Sequence, residues 1–497
     1  MSIVVRHAVL CVVALLSIGL SVYHLEQARA GIQFSTLDFG ETPATRYRLP
    51  DAQGPMVIVT HGFAGSRQLM QAFSLTLARA GYDVIAFDFE GHGRNPIPMS
   101  GDVTAIDGTT RLLVEETQRV ITAAKTLNEN NQGIALLGHS MATDVILRAA
   151  LAEMEKGVKI ATIVGVSMFS ELINESVPPS LLIVNGQWEG RLRAPALKQL
   201  QMLNPQAVEG ETVSTSDVVR RVVVVPSVEH VSVLYSGTTL QETLAWLDMT
   251  FNRSSSTDVA RIGGWILLLL GGIVFLFKPL VYCLPKGEIH KNELPTKTFF
   301  LAVALPAIVT PLLAFMPSVN FLPVLVADYL MMHLALFGAL QLFVIRSLLP
   351  GLRMSGLLSG VLLALWGIVV FGLALDRYAA SFLPTGGRLV IIGVLCLGTI
   401  VFMVADCVVT GVGTGSLWRR ILARVALMVS LGVAAVIDPD RLIFLLIILP
   451  VLVLFYLVHG LMGRWVAQRS GALTTGVGLG LCLAWALGVS FPLFDVQ

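Results

Sequence analysis

Eight long apolar segments occupy the second half of this 497-residue chain. Most of them reach the roughly 20 residues that a helix needs to cross the hydrocarbon core of a bilayer, and the sixth is shorter. We therefore expect an all-α membrane domain over residues 261–497. The segments are 262–283, 297–316, 321–345, 355–375, 389–411, 421–437, 442–463 and 471–493.

Positive charge in the connecting loops predicts the orientation of these helices. Basic loops remain in the cytoplasm, and alternate loops of this domain divide into one set with ten basic residues and one with four. The larger set is Lys286, Lys291, Lys297, Arg346, Arg353, Arg419, Arg420, Arg424, Arg464 and Arg469, and the smaller is Arg261, Arg377, Arg388 and Arg441. We expect a multi-pass protein of the cell (inner) membrane, with residues 31–257 and the C-terminus on the periplasmic side.

The first 30 residues have the order of a targeting segment. Arg6 and His7 precede an apolar stretch from Ala8 to Val22, and Ala28-Arg29-Ala30 follows. This order predicts either a secretory signal peptide with an A-x-A cleavage site or an uncleaved signal-anchor helix. Both alternatives carry the next domain across the membrane.

The region between these parts has the composition of an ordinary globular domain. Over the whole chain 55% of residues are hydrophobic and 13% are charged, but the apolar excess lies after residue 259. We expect a globular domain over residues 31–253, joined to the membrane domain by a linker over 254–260. All five cysteines lie in apolar segments outside the globular domain, and no metal-type Cys/His spacing occurs.

Strand and helix patterns alternate along the globular domain. Strands are predicted at 56–60, 83–88, 133–138, 160–166, 180–185 and 220–225, and helices at 67–80, 108–127, 141–155, 194–203 and 238–251. Such alternation predicts an α/β fold with a mostly parallel sheet covered by helices on both faces. In these sheets ligands bind at the carboxyl ends of the strands.

A serine lies at one of these strand ends, in Gly138-His139-Ser140-Met141-Ala142. A serine between small residues at a strand-to-helix turn has the layout of a nucleophile elbow. Its hydroxyl needs a base to accept the proton. Of the four histidines in the domain, His61, His92 and His139 belong to turn motifs, which leaves His230 as the candidate base.

Residues 33–252 resemble the α/β-hydrolase family, in its esterase, lipase and S33 peptidase branch. The similar segments, in the family's order, are His61–Gly65, Asp88–Arg94, Gly138–Ala142 and Val228–Ser232. The resemblance implies Ser140 as nucleophile, His230 as base, and the backbone N–H groups of Phe63 and Met141 as the oxyanion hole. It also implies that His61 is structural and that Asp88 and His92 organise turns.

The resemblance places the acid of the triad after the strand at 180–185, where Glu189 is available. Glu171, after the preceding strand, is the alternative, because some members of the family carry the acid there. Either carboxylate would hold the imidazole in its working tautomer and stabilise the imidazolium.

These features predict a membrane-bound serine hydrolase that cleaves an ester, thioester or amide outside the cytoplasm through an acyl-enzyme on Ser140. The expected partners are an acyl-containing small molecule or lipid substrate and the bilayer; the net charge of +1 gives no reason to expect nucleic acid. No metal or organic cofactor is implied. The alternatives are a transacylase, or a transporter or channel whose globular domain gates or binds, motivated by Asp328, His333 and Asp406 within the predicted spans.

Overall fold

The computed structural model describes residues 2–102, 106–127, 132–283, 293–316, 321–349 and 354–495. Three basic loop residues used to predict orientation, Lys286, Lys291 and Arg353, lie outside this part of the chain. The remaining chain forms a globular domain and a membrane domain that contact each other at several places.

The globular domain contains a nine-stranded sheet in the order β1-β2-β4-β3-β5-β6-β7-β9-β8. The strands β3 to β7 and β9 run parallel to one another, whereas β1, β2 and β8 pair antiparallel with their neighbours. The mostly parallel sheet is therefore confirmed, and the structure adds three antiparallel strands near its edges. The bounds are β1 Gln33–Phe39, β2 Thr42–Arg48, β3 Met56–Thr60, β4 Asp83–Phe87, β5 Ile134–His139, β6 Ile160–Val166, β7 Ser180–Gly186, β8 Thr212–Ser214 and β9 Val219–Val225.

Helices cover both faces of this sheet because alternate residues of the central strands point to opposite sides. Val57 and Val59 of β3 pack in one core with α2 and α6, while Met56 and Ile58 pack in a second core with α3, α4 and α5. The helices of this half are α1 Ile3–Arg29, α2 Gln71–Arg79, α3 Arg111–Leu127, α4 Met141–Glu155, α5 Gly190–Gln201 and α6 Gly237–Thr250.

The membrane domain is helical throughout its described residues. Together with α1, nine helices of the described chain are long and apolar enough to cross a membrane. The sixth segment is longer than predicted: α13 begins at Leu417, and Arg419 in its first turn donates to the Leu294 carbonyl at 2.6 Å. The helices are α7 Gly263–Tyr282, α8 Thr296–Val309, α9 Ala327–Ile345, α10 Met354–Leu365, α11 Phe371–Tyr378, α12 Gly386–Val409, α13 Leu417–Ile437, α14 Pro439–Leu442, α15 Leu445–Ser470 and α16 Ala472–Ser490.

The chain after α16 returns to the globular domain. Phe494 forms a parallel bridge with Met99, and the Leu493 amide donates to the Gly91 carbonyl at 2.8 Å. Arg388, at the start of α12, is 1% exposed and donates to the carbonyls of Gly91 and Phe491 at 2.9 and 2.6 Å. The loop at residues 91–99 is thus held by backbone and guanidinium bonds from the membrane domain.

The expected linker is also attached rather than free. The Ala260 amide donates to Thr76 Oγ1 of α2 at 2.9 Å, and Ser255 donates through its amide and hydroxyl to the Asp248 carboxylate of α6. The linker is consequently held along the globular domain until just before the start of α7.

Candidate active site

Ser140 occupies the sharp turn between β5 and α4. Its φ of 54° and ψ of −122° lie in a region that side chains rarely adopt, as expected of a nucleophile elbow. The turn leaves no room for larger neighbours: a Cβ on Gly138 would lie 2.9 Å from the Ile146 side chain, and one on Gly62 would lie 3.0 Å from the Ser140 Cβ. The Ser140 side chain makes no capping hydrogen bond to α4.

The three side chains predicted as the triad, Ser140, His230 and Glu189, form one hydrogen-bonded chain. The Ser140 hydroxyl lies 2.8 Å from His230 Nε2, and His230 Nδ1 lies 2.6 Å from Glu189 Oε1. The ordering is that of nucleophile, base and orienting acid: Nδ1–H donates to the carboxylate, which leaves the Nε2 lone pair facing the hydroxyl. The arrangement can therefore transfer the serine proton to the imidazole.

The Glu189 carboxylate is held from both oxygens. Besides the contact with His230, its Oε2 accepts from the Gly186 amide at 2.5 Å and from the Ser167 hydroxyl at 2.9 Å. Burial raises the pKa of Glu189, but these hydrogen bonds to His230, Gly186 and Ser167 outweigh burial and place the pKa below its usual range. Glu189 is thus kept ionised, which is the state that can stabilise an imidazolium.

Of the two candidate acids, the structure brings Glu189 to His230. The alternative, Glu171, is exposed, and the His230 imidazole bonds to Glu189 instead. Glu189 reaches the imidazole because it lies three residues after the end of β7, at the N-cap of α5 and at the carboxyl edge of the sheet.

His139 has a structural task that the sequence did not indicate. Its Nε2 lies 2.9 Å from the His230 carbonyl, so it ties the histidine loop to the end of β5. Burial, with a smaller contribution from the neighbouring His230 ring, lowers the pKa of His139 to about 4. The ring is therefore neutral at pH 7 and can donate from Nε2. Only its position beside the elbow could have hinted at this contact.

The two predicted oxyanion donors lie on segments that flank Ser140. The Met141 amide is the first of α4, where helix N–H groups have no partner within the helix. The Phe63 amide follows Gly62, the residue that approaches Ser140 most tightly on this side. In the part of the chain that the structure describes, neither amide donates a hydrogen bond, so both are available to a ligand.

The segment before Phe63 and the loop after β4 brace each other. His61 Nδ1 lies 2.8 Å from the Gly62 carbonyl, and His61 Nε2 accepts from the Phe89 amide at 3.2 Å. Asp88 is fully buried and accepts from the amide and guanidinium of Arg67 at 2.7 and 2.6 Å. These residues hold the loops in place, as the resemblance implied for His61 and Asp88.

The membrane domain touches the same loops from the other side. The Ser381 amide donates to Ser66 Oγ at 3.0 Å, and Arg94 donates to the Asp376 carboxylate at 2.6 Å. The Phe63 ring also packs against Phe444, with centroids 5.6 Å apart. Sequence reasoning missed these contacts, because partners separated by about 300 residues leave no local signal.

Metal chemistry has no candidate centre within the described ranges. Among these residues, no group of three or more His, Cys, Asp and Glu side chains is arranged to hold a metal ion. The polar groups at this site are instead arranged as a proton-transfer chain beside two free amides.

Comparisons with known proteins agree with this architecture. Residues 52–250 match the family model described as serine aminopeptidase, S33. No curated protein matches the chain. The matched region lies within the globular domain and is similar in sequence to hydrolases of the α/β-hydrolase type; it is followed by helices that are long and apolar enough to cross a membrane.

Several solved structures are similar to this chain. The first is a predicted CIB-like hydrolase from Thermoplasma acidophilum, with 16% sequence identity and a TM-score of 0.34. The match covers 44% of this chain and 97% of that hydrolase. A putative lipase from Acinetobacter baumannii is 16% identical and has a TM-score of 0.32. The match covers 47% of this chain and 97% of that lipase. A hormone-sensitive lipase from a metagenome library is 14% identical and has a TM-score of 0.34. The match covers 46% of this chain and 90% of that lipase.

Proposed function

We propose that this protein is a membrane-bound serine hydrolase that cleaves an acyl ester through an acyl-enzyme on Ser140. The single observation that carries the proposal is the hydrogen-bonded chain from Ser140 Oγ through His230 to Glu189, with distances of 2.8 and 2.6 Å. It joins residues from three separate loops, and packing alone does not require such an arrangement.

The first half-reaction transfers the acyl group to the enzyme. His230 Nε2 takes the proton of Ser140 as the oxygen attacks the ester carbonyl, and the resulting oxyanion is held by the amides of Phe63 and Met141. His230 then gives its proton to the leaving alkoxide, and Glu189 stabilises the imidazolium between these steps. An oxyanion donor of this kind typically contributes about 100- to 1000-fold in rate.

The second half-reaction releases the acid. Water enters the vacated position, His230 takes its proton, and the hydroxide attacks the acyl-serine carbonyl. Collapse of the second tetrahedral intermediate returns the proton to Ser140 and frees the carboxylic acid. Water is the acceptor that we propose, and an alcohol in its place would make the enzyme a transacylase.

We further propose that this chemistry takes place outside the cytoplasm, close to the membrane surface. The ten-to-four distribution of basic loop residues supports this orientation. The short linker supports the closeness, because it runs from α6 to α7 along the globular domain and is bonded to Thr76 and Asp248.

The transport alternative receives no support from the groups that motivated it. His333 Nε2 lies 3.2 and 3.0 Å from the hydroxyls of Thr310 and Ser430, which belong to neighbouring helices. Asp406 faces Arg424 at 3.8 Å, and Asp328 accepts from the Leu322 amide at 3.1 Å. The contacts of His333 and Asp406 are those of polar groups that join helices within a bundle, and the contact of Asp328 holds the segment that leads into its own helix.

A fluorophosphonate probe tests the proposal directly, because it phosphonylates only a serine that a base activates. We expect the full-length protein in detergent to be labelled at Ser140, and Ser140→Ala to remove the label. Ser216→Ala, at an exposed serine of the β8–β9 turn, is the matched control and should label like the wild type. The proposal is abandoned if the wild type is not labelled, or if Ser140→Ala is labelled equally.

A further inference from the structure

The oxyanion loop, residues 61–66, carries the Phe63 amide and has a strained backbone. Ala64 has a positive φ of 55°, which a residue with a side chain rarely adopts. Within the loop, the Gly62 carbonyl accepts a hydrogen bond from the Gly65 amide at 3.0 Å. A backbone in such a region persists only where the surrounding structure holds it. The position of the Phe63 amide therefore depends on the contacts that the loop makes with other parts of the chain.

Two other rings hold the Phe63 side chain. The Phe63 ring meets His92 nearly edge-on, with centroids 5.6 Å apart and ring planes at 82°. It also packs against Phe444, with centroids 5.6 Å apart and ring planes at 37°. Aromatic rings at this separation attract each other, and the edge-to-face arrangement is a favoured one. Because only two side-chain torsions separate the ring from the backbone, holding the ring restricts where the amide can lie.

The first of these rings, His92, is held in turn by the membrane domain. It is 1% exposed and follows Gly91 directly. The Gly91 carbonyl accepts from the Arg388 guanidinium at 2.9 Å and from the Leu493 amide at 2.8 Å. Arg388 lies at the start of α12, and Leu493 lies after α16. One contact of the Phe63 ring thus depends indirectly on the membrane domain.

The second ring, Phe444, is itself part of the membrane domain. It is the N-cap residue of α15 and lies two residues after the end of α14. Its chain neighbour Leu445 is fully buried, which fixes the backbone from which the Phe444 ring projects. The oxyanion loop is also held at its far end, where Ser66 Oγ accepts from the Ser381 amide at 3.0 Å. The membrane domain therefore contacts the loop directly at Phe63 and at Ser66.

We propose that Phe444 is a positioning residue of the hydrolase: by holding the Phe63 ring, it keeps the Phe63 amide where the oxyanion forms. The membrane domain then completes the oxyanion hole as well as attaching the enzyme to the bilayer. The proposal rests on the hydrolase function proposed above. Phe444 acts through Phe63, and the Phe63 amide matters most when charge develops on the carbonyl oxygen. Loss of the Phe444 ring should consequently lower kcat and leave KM nearly unchanged.

Phe444→Ala removes the ring and is the principal variant. The full-length protein in detergent is assayed with p-nitrophenyl octanoate. Rates are divided by the amount of protein that the fluorophosphonate labels at completion, so that unfolded protein does not count. We expect kcat to fall by about 10-fold or more and KM to change by less than about 2-fold, because a small displacement of a catalytic group costs up to about 100-fold in rate.

A trifluoromethyl ketone provides a readout that a loss of folded protein would not change. His230 takes the Ser140 proton as the serine oxygen bonds to the ketone carbon, and the electron pair of the carbonyl π bond moves to the carbonyl oxygen. The product is a stable tetrahedral oxyanion, so the inhibition constant Ki reports on the oxyanion hole. We expect Phe444→Ala to raise Ki by about the factor by which it lowers kcat.

Three further variants make the test specific. Phe444→Tyr keeps the ring and should retain kcat within about 2-fold of the wild type. Phe444→Leu, which shortens the side chain without emptying its place, should change kcat and Ki in the same direction as Phe444→Ala and serves if that variant does not fold. Phe315→Ala is the matched control, since it makes the same substitution at a membrane-domain ring that is 73% exposed. It should leave kcat and Ki unchanged.

The positioning role is overturned if kcat and Ki stay at their wild-type values without the Phe444 ring, or if the loss lies in KM alone. Labelling of Ser140 by the fluorophosphonate in the same preparations keeps the two proposals distinct. An unlabelled wild type removes the hydrolase function. A labelled and active wild type beside an equally active Phe444→Ala removes only the positioning role.

Discussion

At the scale of single residues, the candidate site depends on how tightly Glu189 is held. Both of its carboxylate oxygens accept hydrogen bonds, from His230 on one side and from Gly186 and Ser167 on the other. Ser167 lies just after β6, and its backbone has a positive φ of 53°; its hydroxyl donates to the Glu189 carboxylate. Such a second set of contacts fixes the orientation of the acid and, through it, the tautomer of the histidine.

Glu189→Gln should therefore be far more damaging than its small change in shape implies. The amide cannot accept at both former oxygen positions or stabilise an imidazolium, and the analogous change in a serine protease lowers kcat by roughly 10⁴-fold. We expect a loss of about that size in steady-state hydrolysis of p-nitrophenyl octanoate. Glu175→Gln, at an exposed glutamate, is the control. A loss below about 10-fold would contradict the assignment of Glu189 as the acid.

The lowered pKa of Glu189 adds a pH dependence to stability. A carboxyl whose pKa is lower in the folded than in the unfolded protein stabilises the fold above its unfolded value, near 4.5. This contribution is lost as the pH falls through the folded value. We expect Glu189→Gln to have a lower Tm than the wild type at pH 7 and the difference to shrink below pH 4.5. A Tm difference between the two proteins that grows below pH 4.5 would contradict this prediction.

At the scale of elements, α1 packs as a member of the helical bundle. His24 stacks on Trp265 with centroids 4.0 Å apart, and the far end of the helix brings His7 to Tyr282 at 3.9 Å. Glu26 binds the Arg377 guanidinium at 2.8 Å beside α11. Of the two alternatives for the N-terminus, these contacts favour the signal anchor, because a cleaved peptide would leave the matching face of α7 uncovered.

Two adjacent glycines of α7 allow this preference to be tested. A Cβ on Gly272 would lie 2.9 Å from the Ile18 side chain and 3.2 Å from the Ala14 carbonyl of α1, whereas a Cβ on Gly271 meets nothing within 4 Å. Small residues permit such close helix contact in membranes.

We expect Gly272→Leu to destabilise the protein by about 1–3 kcal/mol relative to Gly271→Leu, as overpacking usually does. Thermal unfolding of the two variants in the same detergent measures the difference. Equal melting temperatures would mean that α1 does not occupy this position in the mature protein.

At the scale of the whole molecule, the membrane domain is more than an anchor. It contacts the loop at residues 91–99 through Arg388 and the chain after α16, and it contacts the oxyanion loop through Ser381 and Phe444. A single helix would suffice for attachment to the bilayer. The additional helices are explained if they hold the loops of the site in place.

The proposed orientation predicts which loops face the periplasm. Asp440, in α14, and Thr414, between α12 and α13, are both exposed and lie at opposite ends of α13. In a background with the exposed Cys283 changed to serine, a membrane-impermeant maleimide should label Asp440→Cys in intact cells. Thr414→Cys should be labelled only after the membrane is permeabilised, and the opposite pattern would invert the topology.

The sequence by itself determined the α/β architecture and the apolar helices, because both follow from local periodicity and segment length. The strands at 56–60, 160–166 and 180–185 have nearly the bounds that the pattern predicts, since a buried parallel strand is apolar on both faces. β1, β2 and β8 escaped prediction because most of their residues are polar, and β8 has only three residues. Ser140 could be predicted as the nucleophile because it lies in a strand-to-helix turn between small residues. His230 could be predicted as the base because the globular domain has only four histidines and the other three belong to turn motifs.

Only the tertiary structure decided which groups meet. Glu189 and Glu171 are the same residue type, and each follows a strand. The choice between them depends on which carboxylate lies within hydrogen-bond distance of His230 in the folded chain, and that carboxylate is Glu189. The hydrogen bonds of Ser167, His139 and Arg388, and the packing of the Phe63 ring against Phe444, join residues that are distant in the chain. Such contacts are set by the packing of whole elements, and no local property of the sequence encodes them.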